Sequence, residues 1–255
     1  MKRYFAVVSM MCLFALAGIA GAVAQEVQKA NPATDFKYDL TKDGEGLYIY
    51  DYTGTATEVV IPAVIEDFPV VAISVEAFKG TNVISVVFPN SIRRIGDSCF
   101  EGCKSLQNVV LPKNLNNIPG KMFASCKALK QITLPNSIEI IQHRAFAWSG
   151  LESITIPDSV IVIDYDWYGA FECCEHLKTV NIGKGIKSIG HNAFKGCSSL
   201  TTVNIGAEKL EAGSYINVQE TSYKTGYGNN VFSDCSSLSL KEKKKIRDTG
   251  YTGGF

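Results

Sequence analysis

From about residue 57 onward, the apolar positions of the chain fall into a frame that recurs roughly every 23 residues. Phenylalanines stand at Phe78, Phe100, Phe123, Phe146, Phe171 and Phe194, at intervals of 22, 23, 23, 25 and 23, and Phe232 follows after 38. Three residues after each Phe come Cys103, Cys126, Cys174, Cys197 and Cys235, with Thr81 and Ser149 as the exceptions. Six residues after come Ile84, Leu106, Leu129, Leu177, Leu200 and Leu238, and Leu151 arrives one residue early. Ahead of Pro62, Pro89, Pro112, Pro135 and Pro157, and later of Gly183 and Gly206, the chain alternates: Val86 and Phe88, Ile154 and Ile156, Val180 and Ile182 share one parity. Period two predicts a short strand with one face inward, and a proline without an N–H ends its ladder. A second apolar pair follows, as in Ile92 and Ile95 or Ile138 and Ile141. The Phe-x-x-Cys-x-x-Leu stretch has helical spacing and predicts a tight helical or 3₁₀ turn. One such unit cannot bury its own apolar side, so stacked units form a solenoid of about seven coils with parallel strands.

The ends depart from this frame. Lys2 and Arg3, the uncharged run Phe5 to Gly21 and the small residues Ala22-Val23-Ala24 predict a signal peptide over 1–24, with Gln25 as the first mature residue. Its run is short for a transmembrane anchor, and Cys12 lacks the Leu and small residues that precede a lipidated cysteine. No later stretch approaches 18 apolar residues. Residues 25–56 read as a disordered lead to residue 34 followed by a β-rich N-terminal cap, since Phe36 to Tyr52 alternates and carries Gly44 and Gly46. The solenoid is expected over 57–240, with an insertion at about 207–229. The segment 241–255 predicts a C-terminal cap whose Lys241 to Arg247 form a short polar helix facing water.

The runs Ile95-Gly-Asp-Ser-Cys-Phe-Glu-Gly-Cys-Lys-Ser-Leu106 and Ile189-Gly-His-Asn-Ala-Phe-Lys-Gly-Cys-Ser-Ser-Leu200 resemble the BspA-like (Treponema-type) bacterial leucine-rich-repeat surface proteins. That family's pattern is I-x-x-I-G-x-x-A-F-x-x-C-x-x-L-x-x-V-x-L-P, and the resemblance covers roughly 57–240. It implies a right-handed leucine-rich-repeat coil with parallel β-strands. It also implies a secreted, periplasmic or cell-surface location and, as in some members, an adhesin-like role. Fold alone does not fix the ligand.

Charge and chemistry narrow the function further. Lys plus Arg is 25 and Asp plus Glu is 25, for a net charge of zero. That lacks the basic footprint of a nucleic-acid binder. No Gly-x-Ser-x-Gly elbow, Gly-x-Gly-x-x-Gly, Walker loop or His-Glu-x-x-His is present, which argues for a non-catalytic protein without a cofactor. His143 and His191 stand two coils apart, about 10 Å at one strand spacing per coil, too far to share a metal. The rung cysteines lie one strand spacing apart. Cys103 with Cys126, or Cys174 with Cys197, could form disulfides, or the rung could be a ladder of buried small hydrophobes.

Two insertions break the repeat just before a phenylalanine. One carries Tyr165, Asp166, Trp167 and Tyr168; the other carries Tyr215, Tyr223 and Tyr227. Insertions in a solenoid map to loops on one face, and Tyr and Trp dominate binding surfaces. Both insertions are expected on the same side, binding an extracellular protein or glycan, unless they merely pack on themselves. Outward residues of the first strands run Val60, Val87, Val110, then Thr133, Thr155, Asn181 and Asn204. That apolar strip, and the solenoid edges, offer the alternative of a structural protein that self-associates.

Overall fold

The structure, a computed structural model, describes residues 29–163, 168–210, 215–219 and 221–255. A 3₁₀ turn at Ala33–Asp35 leads into the antiparallel pair β1 (Phe36–Leu40) and β2 (Leu47–Tyr52). β3 (Glu58–Val60) follows, then the hairpin β4 (Val64–Ile65) and β5 (Phe68–Ile73). Glu66 and Asp67 join that hairpin at φ 50° and 68°, the left-handed pair a two-residue turn requires. The next coils supply β6 (Ser85–Val87), β7 (Arg94–Ile95), β8 (Asn108–Val110), β9 (Asn117–Ile118) and β10 (Ile140–Ile141). Then come β11 (Ser153–Ile156), β12 (Val162–Ile163), β13 (Thr179–Ile182), β14 (Ser188–Ile189) and β15 (Thr202–Ile205). A second hairpin, β16 (Tyr215–Val218) with β17 (Thr221–Lys224), precedes β18 (Gly226–Tyr227), and helix α1 (Leu240–Asp248) closes the chain.

These strands stack as two parallel walls of a solenoid of about seven turns. One wall holds the first strands, as β3-β6-β8 and β11-β13-β15. The other holds the second strands, as β5-β7 joined to the cap hairpin and as β9-β10-β12-β14-β18. Residues 131–134, expected as a first strand, form none; Leu134 is still buried, so inward packing survives there without a ladder. The predicted helical stretch is two successive i→i+3 turns, such as Cys103 N–H to Phe100 O and Leu106 N–H to Cys103 O, rather than a continuous helix.

The repeated phenylalanines are fully buried and stack along the axis. Ring centroids from Phe100 to Phe123, Phe146, Phe171, Phe194 and Phe232 lie 5.8, 5.3, 5.1, 5.0 and 5.5 Å apart. These spacings follow the coil rise set by strand pairing. Tyr52 extends the stack at one end, 5.1 Å from Phe78, and Tyr251 closes the other edge-on, 5.3 Å from Phe232. The cysteine rung has a specific partner. Each thiol donates to the phenylalanine carbonyl of the preceding coil: Cys103 to Phe78 O at 2.9 Å, Cys126 to Phe100 O at 3.2 Å, Cys174 to Phe146 O at 3.0 Å. Cys197 and Cys235 do the same toward Phe171 and Phe194. All seven described cysteines are free, so the rung is a buried thiol ladder and not a disulfide stack. Thr81 offers a hydroxyl at this position and donates it to Phe78 O at 2.8 Å.

Both ends of the first wall are sealed by side chains. At β3, Asn31 acts as a one-residue strand: its N–H donates to Val60 O at 2.9 Å and its Oδ1 accepts Val60 N–H at 2.8 Å. The lead expected to be disordered through residue 34 is therefore anchored at Asn31, because the edge of β3 needs a partner. At β15, Glu242 Oε1 accepts Val203 N–H at 2.8 Å and Lys245 Nζ donates to Val203 O at 3.0 Å. Ser239 caps α1 by accepting Glu242 N–H at 3.2 Å. The Ser-x-x-Glu spacing suits a capping box, but the glutamate turns instead to the sheet edge.

Candidate functional site

Six of the seven phenylalanine turns are bracketed by two left-handed residues, the turn of Phe171 having only the later one, Cys173. Two positions before the Phe these are Glu76, Ser98, Lys121, Arg144, Asn192 and Asn230. Two positions after it stand Gly80, Gly102 and Gly196, which reach φ 68–75° without steric cost, and Ser125, Cys173 and Asp234 at φ 56–62°. At the turn of Phe146 that second position holds Trp148, at φ 57°. A large aromatic residue in this region is a genuine outlier.

The backbone splays Arg144 and Trp148 out of the same turn, and the next coil adds Tyr168. The Arg144 guanidinium carbon lies 3.8 Å from the Tyr168 ring centroid and 5.3 Å from that of Trp148. The cation thus touches two aromatic faces, an arrangement worth about 0.5–2 kcal/mol per contact depending on desolvation. Arg144 Nε approaches Glu172 Oε2 at 3.9 Å, beyond hydrogen-bond distance. Both atoms are buried without a hydrogen-bond partner. Tyr168 is 50% exposed, so a flat ring backed by a fixed cation meets the surface above that buried donor and acceptor.

The other predicted site residues divide. Tyr165, Asp166 and Trp167 lie outside the described residues. Tyr215 lies on β16, its backbone paired with Lys224. Tyr223 is 6% exposed and packs with Val218 over Ile140 and Val162, the outward residues of β10 and β12. Tyr227 pairs in register with Ile189 and joins the inward column of the second wall, where burial pushes its hydroxyl up to about 12. These two rings hold the insertion in place and are not offered to a ligand: the apolar outward faces of Ile140 and Val162 needed covering, and the hairpin folds back over them as an arm. Nor do the insertions leave at one phase. The arm departs before the second strand β18, whereas residues 164–169 follow the second strand β12. Arg144, Trp148 and Glu172 were not singled out from the sequence; the one available signal was a Trp at a position where the other repeats place Gly, Ser, Cys or Asp.

Burial raises the thiols of Cys99, Cys126 and Cys197 well above the ordinary range and pushes Cys235 up to about 12, which keeps them protonated and unreactive. Among the described residues no group of three or more His, Cys, Asp or Glu is placed to hold a metal, and no helix is long and apolar enough to cross a membrane.

Stacked coils with two strand walls, a phenylalanine spine and a Cys/Leu turn define a leucine-rich-repeat solenoid. The chain matches the model of the BspA type leucine rich repeat region in six copies, over residues 46–169, 71–201 and 168–242. It belongs to the BspA-type leucine-rich-repeat family. A leucine-rich repeat protein of T. pallidum is 32% identical with a TM-score of 0.78, over 89% of this chain and 99% of that one. One from Bacteroides ovatus is 26% identical with a TM-score of 0.68, over 80% of this chain and 51% of that one. No curated protein matches the chain.

Proposed function

We propose that the mature chain is a secreted or cell-surface recognition module, non-catalytic and adhesin-like, that binds an extracellular protein or glycan. The observation that carries this reading is the Arg144–Trp148–Tyr168 surface. Trp148 keeps a left-handed backbone conformation that costs an L-residue roughly 1–2 kcal/mol, at a position the other turns give to the smaller Gly80, Gly102, Ser125, Cys173, Gly196 and Asp234. An exposed Tyr, a half-buried Trp and a stacked Arg are the residue types that anchor recognition sites. The predicted leader over 1–24 and the family's surface-exposed members support the location. Self-assembly through strand edges is the weaker reading, since Asn31 at β3 and Glu242 with Lys245 at β15 already occupy those edges.

The test is a screen of residues 25–255 on arrays of glycans and extracellular-matrix proteins, with the Trp148→Ala, Tyr168→Ala double variant alongside. The expected result is a hit on the parent chain weakened about tenfold or more in the variant, at least 1.4 kcal/mol. The variant loses both ring contacts of Arg144 and is expected to melt somewhat earlier, and a retained cooperative transition confirms that it folds. A hit of equal strength in the variant would remove this face from the reading.

A further inference from the structure

The second wall is interrupted between β7 and β9, which do not pair. Side chains bridge the gap in place of a ladder: Asn90 Oδ1 accepts Lys113 N–H at 3.0 Å, and Asp97 Oδ1 accepts Gly120 N–H at 3.1 Å. Here a groove of about 680 Å³ opens between the turns of these two coils and the cap loop. That is the size of a small-ligand or short-peptide site. At its far rim the arm ends: Gln219 Nε2 donates to Asn116 O at 3.1 Å and to Glu139 Oε2 at 3.2 Å.

The groove is dipolar. On the cap side, the β1–β2 loop presents Thr41, Asp43 and Glu45. The Thr41 hydroxyl donates to Asp43 at 2.6 Å and the Glu45 N–H donates at 3.1 Å, which together hold the Asp43 carboxyl below its ordinary value. On the coil side stand Arg93 and Arg94, both exposed. No ion pair among the described residues joins the two sides, and the Arg94 charge adds to the lowering of the Asp43 carboxyl. Asn114 and Asn116 extend the coil side with amides, and the Ser91 Oγ in the lining is buried with no partner. Pro69 and Val71 add an apolar footing.

We propose that this groove binds an extended segment of a partner protein carrying a basic and an acidic side chain a few residues apart. The chemistry selects against the other occupants. No aromatic ring lines the groove, so a neutral sugar finds nothing to stack on. A polyanion would meet Asp43 and Glu45, and a polycation would meet Arg93 and Arg94, each at the cost of like-charge contact. A peptide with both signs satisfies both sides, lays aliphatic stems on Val71 and Pro69, and offers backbone groups to the asparagine amides. The inference rests on the reading of the chain as a recognition module but assigns a face separate from Arg144 and Tyr168.

The test pans a random-peptide display library against residues 25–255, against the variant Asp43→Asn, Arg93→Gln, Arg94→Gln, and against Trp148→Ala, Tyr168→Ala. The groove substitutions are at surface side chains, and an unchanged thermal midpoint confirms the fold. The expected result is enriched peptides that pair Lys or Arg with Asp or Glu. Their retention should fall about tenfold or more on the groove variant, 1.4 kcal/mol, and hold on the other. Enrichment of single-sign or apolar peptides, equal retention on the groove variant, or no enrichment overturns the proposal. Loss on the Trp148, Tyr168 variant instead overturns the groove while leaving the recognition module standing.

Discussion

At the residue scale, the cysteine rung joins sequence to energetics most directly. A phenylalanine carbonyl in a solenoid turn accepts the N–H three residues on and turns its second lone pair to the next coil, where a further hydrogen bond contributes about 0.5–1.5 kcal/mol. A thiol three residues after the next Phe meets it while behaving as a small hydrophobe. The exceptions are also small but bond differently: the Thr81 hydroxyl donates to Phe78 O of its own turn, and the Ser149 hydroxyl shares a hydrogen bond with Cys174 Sγ. The rung also fixes a pH dependence. Cys235 has a folded value of about 12 against an ordinary 9.0, because burial penalises the thiolate. The folded state therefore keeps a proton that the unfolded chain releases. Its stabilising contribution is complete below pH 9 and declines as pH rises toward 12, by at most about 1.4 kcal/mol per unit. Urea unfolding between pH 8 and pH 11 should show the parent losing stability faster than Cys235→Ser. Equal slopes would mean that this thiol is hydrated in the folded state.

At the element scale, the ends of the first wall decide whether the solenoid stays a single chain. An open strand edge is a template for another chain. At β15 two side chains of α1 replace the missing strand, one accepting and one donating at Val203. Glu242→Ala with Lys245→Ala is expected to cost about 1–2 kcal/mol and to give a dimer fraction that grows with concentration in sedimentation velocity. Glu242→Gln, which keeps an acceptor, should retain most of the stability. An unaltered unfolding midpoint in the double alanine variant would show that water serves Val203 equally well. This cap was only partly legible. Ser239-x-x-Glu242 announces a helix start, but which backbone group the carboxylate meets depends on a strand 39 residues earlier. The same limit applies to the arm. The extra length between Gly206 and Phe232 is plain in the sequence, yet only the pairing of Tyr227 with Ile189 shows on which side of the second strand it leaves. Phe, Cys and Leu were readable because each occupies the same column in every coil, and a column is a one-dimensional property. Arg144 and Glu172 were not, because their proximity spans two coils and their residue types vary along the column.

At the scale of the whole molecule, the two walls break in different places. The second wall parts between β7 and β9, and the first wall lacks a strand at 131–134, between β8 and β11. The apolar core does not break: one cluster of buried residues runs from Phe36 to Tyr251, with the phenylalanine stack crossing both gaps. In a stack where each repeat contacts only its neighbours, stability adds from unit to unit, so an interface with fewer ladder bonds is a weak joint. Since the gaps are staggered, each is spanned by an intact wall opposite, and the molecule should unfold as one body while exchanging locally. Hydrogen exchange is expected to show residues 131–134 opening well before β11 and β13 of the same wall. Ile132 and Leu134 should lose protection without any loss at Phe123 or Phe146, whose amides bond to the next coil at 2.8 Å. Were 131–134 protected as strongly as β13, that segment would pair in solution. Were protection at Phe123 and Phe146 lost together with 131–134, the stack would not carry the load across the joint, and the chain would behave as two halves hinged at coil four.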